Sequence, residues 1–209
     1  EPTPIQSEVI PLVQSGRDVV GQAQTGTGKT AAYSIPLLET VDKNARDPQA
    51  LVLVPTRELA VQVKVELSKL GQHTGVKVVA IYGGQAMGRQ LESLQRGVQI
   101  IVATPGRLMD HMQRGTLDIG RVKSVVLDEA DQMLDIGFAD DIERILRHTP
   151  SSRQTLLFSA TMPGPIRRLA NRYMKDPVWI LVGGNAEPVE QVEQIYFEVA
   201  ERDRPAALE

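Results

Sequence analysis

The chain of 209 residues is 42% hydrophobic, enough to bury a sizeable core in one large domain or two small ones. Its 23 Lys and Arg against 26 Asp and Glu give a net charge of −3 and a pI near 5.7, which excludes a domain that grips nucleic acid by bulk charge; any such grip must be local. The absence of cysteine excludes disulfides and thiolate metal sites, no apolar run approaches the ~18–20 residues of a membrane span, and the three histidines are not spaced for a metal.

The chain opens at Glu1 without methionine, already inside the motif-like stretch PTPIQ (2–6), and reads as an excised piece of something longer. The lack of cysteine fits a reducing compartment, and the overall style of the sequence points to the cytoplasm. From there short apolar runs recur, each with a distinctive stretch at its end. DVVGQ (18–22) leads into AQTGTGKT (23–30) and a segment of helical composition. ALVLV (50–54) leads into PTRELA and the amphipathic ELAVQVKVELSKLGQH. VKVVAIY (76–82) leads into Gly83-Gly84, and VQIIVA (98–103) into TPGR (104–107). VKSVVL (122–127) leads into DEAD (128–131), after which FADDIERILRH is again amphipathic. QTLLFSA (154–160) and VWILV (178–182) close the series.

Near-continuous apolarity suits strands covered on both faces. Strands alternating with helices imply an α/β fold with a central, mostly parallel sheet and helices on both sides. Ligands of such sheets lie beyond the carboxyl ends of the strands. The boundary is expected at 183: residues 1–183 form the domain, and 184–209 serve as a linker or an edge strand, the glycine pair and the alternation in VEQIYFEV allowing either.

Strand, glycine-rich loop, Lys-Thr and helix is the order that a phosphate-binding loop requires. Within Gln24-Thr25-Gly26-Thr27-Gly28, the glycines let backbone N–H groups turn onto phosphate oxygens at a helix N-terminus. Lys29 would reach the β- and γ-phosphates, and the Thr30 hydroxyl would ligate Mg²⁺. The general pattern G-x-x-x-x-G-K-[ST] wants glycine at position 23, where this chain has Ala23.

Three carboxylates in the four residues after VKSVVL raise a question of charge. Asp128 and Glu129 about 6 Å apart would repel by roughly 3 kcal/mol at an effective dielectric near 20. A solvated helix start accounts for acidic residues, but not at the end of a buried strand. A magnesium ion held by Thr30, a triphosphate and Asp128 would offset the repulsion. Glu129 would then accept a proton from the attacking water.

Thr104 and Thr56 are candidate helix caps, with Pro105 at a first helical position. Open amides there, with Arg107 and Arg57, can hold backbone phosphates. A capped helix accounts for either stretch taken singly. Two of them plus the flexible Gly83-Gly84, all after strand ends, favour a groove that tracks a phosphate backbone with little sequence preference.

With AQTGTGKT and DEAD in hand, the chain resembles the N-terminal RecA-like domain of a DEAD-box RNA helicase over nearly its whole length. The resemblance implies a RecA-like three-layer sandwich that uses ATP and Mg²⁺ and contacts RNA. PTPIQ, with Thr3 and Gln6, resembles the adenine-reading motif of that family. The Gln6 amide offers a donor and an acceptor that match the N6 and N7 edge of adenine, a pattern guanine reverses. Pro55, Thr56 and Arg57, Gly83 and Gly84, and Thr104, Pro105, Gly106 and Arg107 resemble its RNA-contacting stretches. Ser159 and Thr161 of SAT resemble the element coupling hydrolysis to unwinding, with their hydroxyls expected on Asp131. Ala23 is the family's usual residue at its position. Catalysis would rest on Glu129 and Lys29.

The family's second RecA-like domain, which supplies arginine fingers, is absent here, and Arg202 and Arg204 are not credible substitutes. This piece is therefore expected to bind nucleotide but hydrolyse it poorly, since an arginine finger is worth about 10³–10⁵ in rate. A DNA helicase or translocase, and an ATP-gated RNA clamp that does not unwind, are the alternatives. A small-molecule P-loop kinase would leave PTRELA, TPGR and SAT unexplained.

Overall fold

In a computed structural model, the structure describes residues 1–182 and Val199; the expected boundary at 183, the linker or edge strand after it, and Arg202 and Arg204 lie outside the described residues. The elements run α1 (Pro4–Gln14), β1 (Val19–Gln22), α2 (Lys29–Thr40), β2 (Ala50–Leu53), α3 (Arg57–Leu70), β3 (Val78–Ile81), α4 (Met87–Gln95) and β4 (Ile100–Ala103). They continue with α5 (Pro105–Gln113), β5 (Ser124–Leu127), α6 (Ala130–Asp135), α7 (Ala139–His148), β6 (Gln154–Ser159), α8 (Gly164–Tyr173) and β7 (Val178–Leu181). All seven apolar runs are strands. They form one sheet in the order β3-β4-β2-β5-β6-β1-β7, and every neighbouring pair is parallel. A helical crossover between successive strands makes this the natural outcome.

Alternate residues along the central strands feed two separate cores, whereas Trp179 and Leu181 of the edge strand β7 are exposed. Leu51, Leu53, Ile101, Ala103, Val125 and Leu127 pack with residues of α5 to α8. Ala50, Val52, Ile100, Val102, Val126 and Phe158 pack with α1, α2 and α3. In the middle of the sheet both faces are dry, so side chains of either parity are apolar and the runs look continuous. β3 begins two residues into its run because side chains take over the early amides: Val76 N donates to Thr74 Oγ1 at 3.2 Å and Lys77 N to Gln99 Oε1 at 2.8 Å instead of to a neighbouring strand. Among the described residues, no helix is long and apolar enough to cross a membrane.

One packing detail positions the chemistry. A Cβ on Gly21 of β1 would stand 2.7 Å from Phe158 Cδ1, so only glycine lets that ring lie against the strand. The Phe158 ring in turn meets Tyr33 of α2 at 5.5 Å between centroids. Tyr33, wholly buried, is thereby held under the carboxyl edge of the sheet.

Candidate functional site

Because every strand points the same way, the stretches singled out in the sequence all emerge at one edge of the sheet. Across that edge they run Gly83-Gly84, TPGR, PTREL, DEAD, SAT and AQTGTGKT, following the strand order. The last three are neighbours on one half, and the first three on the other.

After β1 the chain turns through residues 23–28 and enters α2, with Gly28 as the N-cap residue at φ 93° and ψ 19°. Gly26 is also left-handed, at φ 85°. α2 has no side-chain cap and no acidic residue in its first turn, so its leading amides are free to meet an anion. Ala23 N donates to Ser159 O at 3.1 Å, and Thr27 Oγ1 to Gln24 O at 2.8 Å. Lys29, only 6% exposed, donates from Nζ to Ala23 O at 2.9 Å, beneath the loop.

Asp128 follows β5 and is 3% exposed. Tyr33 Oη donates to its Oδ2 at 2.9 Å, and Glu129 N to its Oδ1 at 3.0 Å. Burial pushes the Asp128 carboxyl above its ordinary value, against the Tyr33 hydrogen bond and the Lys29 charge, which work to lower it. Glu129 is raised too, first by burial and then by the charge of Asp128. Tyr33 is raised well above its ordinary value by burial and by Asp128. The backbone of Glu129 is left-handed, at φ 51° and ψ 50°, a conformation that non-glycine residues adopt at a cost and that clusters at functional sites. The site thus holds two carboxylates with less counter-charge than their burial demands, and a buried ammonium beside them.

That imbalance is what a cation would relieve. Among the described residues, no group of three His, Cys, Asp or Glu could hold a metal alone. A hard, hydrated ion fits better, bound by one carboxylate and a hydroxyl and completing its shell with water and phosphate oxygens. Asp128 and Thr30 are donors of that kind.

Asp131, on α6, accepts at Oδ2 from the Thr161 hydroxyl at 2.8 Å and from Thr161 N at 2.9 Å. The Ser159 hydroxyl accepts from Asp131 N at 3.2 Å, a contact with the backbone beside its influence on the carboxylate. Burial works to raise the Asp131 carboxyl, but the Thr161 bonds, with help from Ser159 and Gln132 N, outweigh it and hold it below its ordinary value. A short chain of contacts therefore joins the loop after β6 to the helix that follows Asp128-Glu129.

Gln6 lies against the phosphate-type loop. Its Oε1 accepts from Thr3 N at 3.0 Å, and its Nε2 donates to Gly28 O at 3.2 Å. Both ends of the amide are therefore engaged within the chain. The Thr3 hydroxyl beside it is buried with no hydrogen-bond partner.

On the other half, Thr56 caps α3 by accepting from Leu59 N at 3.2 Å, with Pro55 buried before it. Thr104 occupies the same position before α5, followed by Pro105 at the helix start, but its hydroxyl makes no cap bond. Gly106 is exposed and open. The Arg57 side chain is 62% exposed and pairs with Glu58 at 2.7 Å. A Cβ on Gly84 would lie 3.5 Å from its Nη1, which places the glycine pair beside PTREL. A hollow of about 790 Å³ opens there, lined by Arg57, Tyr82, Gly84, Gln85 and Arg89 among others. Arg107 is not a surface finger: 18% of its side chain is exposed, and Nη1 donates to Gln85 O at 2.9 Å. The carbonyl after the glycine pair draws the guanidinium inward.

The sequence reading does not include Tyr33, Gln85, Gln90 or Arg89. Tyr33 left a signal, since a tyrosine one helical turn after Lys29 faces the sheet with a hydroxyl that needs a partner. The partner of a glutamine three elements away leaves none.

Comparison with known proteins bears on the same residues. A profile of the DEAD/DEAH box helicase family matches residues 3–169. The chain is 54% identical over 204 residues to the Bacillus subtilis protein named DEAD-box ATP-dependent RNA helicase CshA, covering 98% of this chain and 41% of the relative. The Geobacillus kaustophilus protein of the same name is 53% identical over 204 residues, with 98% and 44% covered. A crystal structure of a DEAD box protein from the hyperthermophile Methanococcus jannaschii superposes with a TM-score of 0.83 at 46% identity, over 99% of this chain and 56% of that one. The yeast DEAD-box splicing factor Prp28 gives 0.82 at 40% identity, over 88% of this chain and 46% of that one. The chain spans less than half the length of these curated relatives.

Proposed function

The chain belongs to the DEAD/DEAH box helicase family, and from that premise we propose that it is the nucleotide-binding half of a cytoplasmic, RNA-stimulated ATPase that locally unwinds short RNA duplexes. The observation that carries this reading is the buried carboxylate Asp128, fixed by Tyr33 from the helix that Lys29 and Thr30 open. In this reading Gln24, Thr25, Gly26, Thr27 and Gly28 wrap the phosphates, and Lys29 moves from the Ala23 carbonyl onto them. Thr30 and Asp128 would hold Mg²⁺, which would supply neutralisation of phosphate charge when bound.

Glu129 takes a proton from the attacking water as its oxygen bonds the γ-phosphorus and the bond to the β-phosphate oxygen breaks. Asp131, Ser159 and Thr161 pass the change at Glu129 to the SAT loop. On the other half of the edge, Arg57, the glycine pair and the α5 amides hold RNA phosphates. A second RecA-like domain of the same full-length protein closes over both.

Stimulation of the full-length protein's ATPase by RNA and by single-stranded DNA of equal length tests the assignment, together with displacement of a short RNA duplex. RNA is expected to stimulate and DNA to fail; equal stimulation means a DNA-capable translocase, and binding without displacement means a clamp. A second expectation concerns the base. For Gln6 to read adenine it must exchange the Thr3 and Gly28 bonds for N6 and N7, so Gln6→Ala should narrow the preference for ATP over GTP about tenfold. Equal use of both nucleotides by the unmutated protein would count against that role.

A further inference from the structure

Beneath the glycine pair lies a buried polar network that the proposed reaction does not use. Gln90 of α4 is 1% exposed and His111 of α5 is 0% exposed. Gln90 Nε2 donates to Tyr82 O at 2.9 Å and to Gln85 Oε1 at 3.0 Å, so it grips the chain on both sides of Gly83-Gly84. That spends both amide protons and leaves Oε1 as the acceptor facing His111 Nε2 at 2.9 Å and Arg107 Nη1 at 3.4 Å. Arg107 Nη1 holds the Gln85 carbonyl as well. Each of these side-chain tethers on the glycine turn therefore ends in Gln90 or Arg107, and the two meet at one oxygen.

The proton arithmetic fixes the role of His111. With Gln90 Oε1 an acceptor, His111 Nε2 must carry hydrogen. Burial and the Arg107 guanidinium hold the imidazole below its ordinary value, so the ring is neutral. Nδ1 is then the acceptor and faces the Thr116 hydroxyl at 2.9 Å, whose one hydrogen is shared with the His111 carbonyl at 3.0 Å. A wrong tautomer would set two acceptors against each other in a dry site, a buried conflict that the fold avoids.

We infer that His111 is a positioning residue for RNA binding: as a buried Nε2–H donor it locks the Gln90 amide, and through it holds the Gly83-Gly84 turn in a phosphate-ready shape. A glycine pair is the part of the groove with most backbone freedom to lose, Gly84 sits at φ 84°, and ordering a loop at the moment of binding subtracts from affinity. The network removes that loss in advance. His111 itself is sealed from any ligand, so it acts only through Gln90. The inference rests on the RNA reading of that half of the edge.

The test is RNA-stimulated ATPase of the full-length protein with His111→Phe, His111→Gln and Thr116→Val. Phenylalanine keeps an aromatic ring at the site but cannot donate, and should raise the RNA concentration for half-maximal stimulation roughly fivefold, with kcat at saturating RNA and KM for ATP unchanged. Glutamine, which can donate an amide hydrogen to Gln90, should recover part of the loss, and Thr116→Val should shift the same constant by a smaller factor. If phenylalanine leaves that constant where it was while RNA stimulates the parent protein, the inference is overturned alone. If RNA does not stimulate the parent protein, the RNA reading falls and this falls with it. Should His111→Phe fail to fold, Thr116→Val decides, because it removes the hydroxyl that supports His111 at Nδ1 and leaves the ring and Gln90 in place; an unmoved constant there overturns the inference too.

Discussion

Glu129→Gln in the full-length protein is expected to lower ATP turnover by about 10²–10⁴, with nucleotide affinity equal or slightly improved. The amide has the size of the carboxylate and cannot accept a proton. It should also tolerate the left-handed backbone at φ 51° as well as glutamate does. Glu129 is raised by burial and by Asp128, so removing its charge lessens a repulsion that works against both carboxylates. Asp128 keeps its bond from Tyr33 and its burial, and the nucleotide-binding residues of the loop after β1 and the start of α2 are untouched. Single-turnover hydrolysis at saturating RNA, beside equilibrium binding of a fluorescent ATP analogue, separates the two effects. Turnover above one tenth of the parent rate would mean that Glu129 is not the base, and a parallel fall in affinity would make it a binding residue instead.

The strands and the order of the motifs were open to sequence reasoning because their signals are local. ALVLV is apolar at every position, and VQIIVA at all but Gln99, since a parallel strand under two helical layers has no wet side. AQTGTGKT and DEAD are likewise contiguous, and a shared counter-charge relates them without knowing the fold. What stayed hidden depends on pairing between distant elements. Ser159 and Thr161 both look like hydroxyl donors to Asp131, yet one hydroxyl accepts from its amide and the other donates to its carboxylate. That difference is set by where β6 ends relative to α6. Arg107 reads as a surface cation because it starts a helix after a strand, but the carbonyl of Gln85, 22 residues away, turns it inward. Gln90 and His111 belong to amphipathic helices whose inner faces are otherwise apolar, and a buried glutamine facing a buried histidine carries no periodic signal.

Gly28→Ala is expected to weaken nucleotide binding by roughly 10–100-fold and to destabilise the domain by about 2–3 kcal/mol, far more than Gly26→Ala. Both glycines are left-handed, at φ 93° and φ 85°, so each substitution carries about 1–2 kcal/mol of backbone strain. The difference lies in the surroundings. A Cβ on Gly26 meets nothing within 4 Å, whereas one on Gly28 would stand 2.6 Å from Gln6 Nε2 and 3.0 Å from Thr3 Oγ1. The Gln6 amide would have to retreat, losing its bond to Gly28 O and its position beside the loop. Thr3 already carries a buried hydroxyl without a partner, so the added methyl also crowds a site that has little slack. Thermal unfolding and nucleotide titration of both variants give the comparison. Equal losses at the two positions would show that backbone freedom alone governs the loop; a loss confined to Gly28, and rescued in part by Gln6→Ala, would show that the loop and the PTPIQ stretch are one mechanical unit.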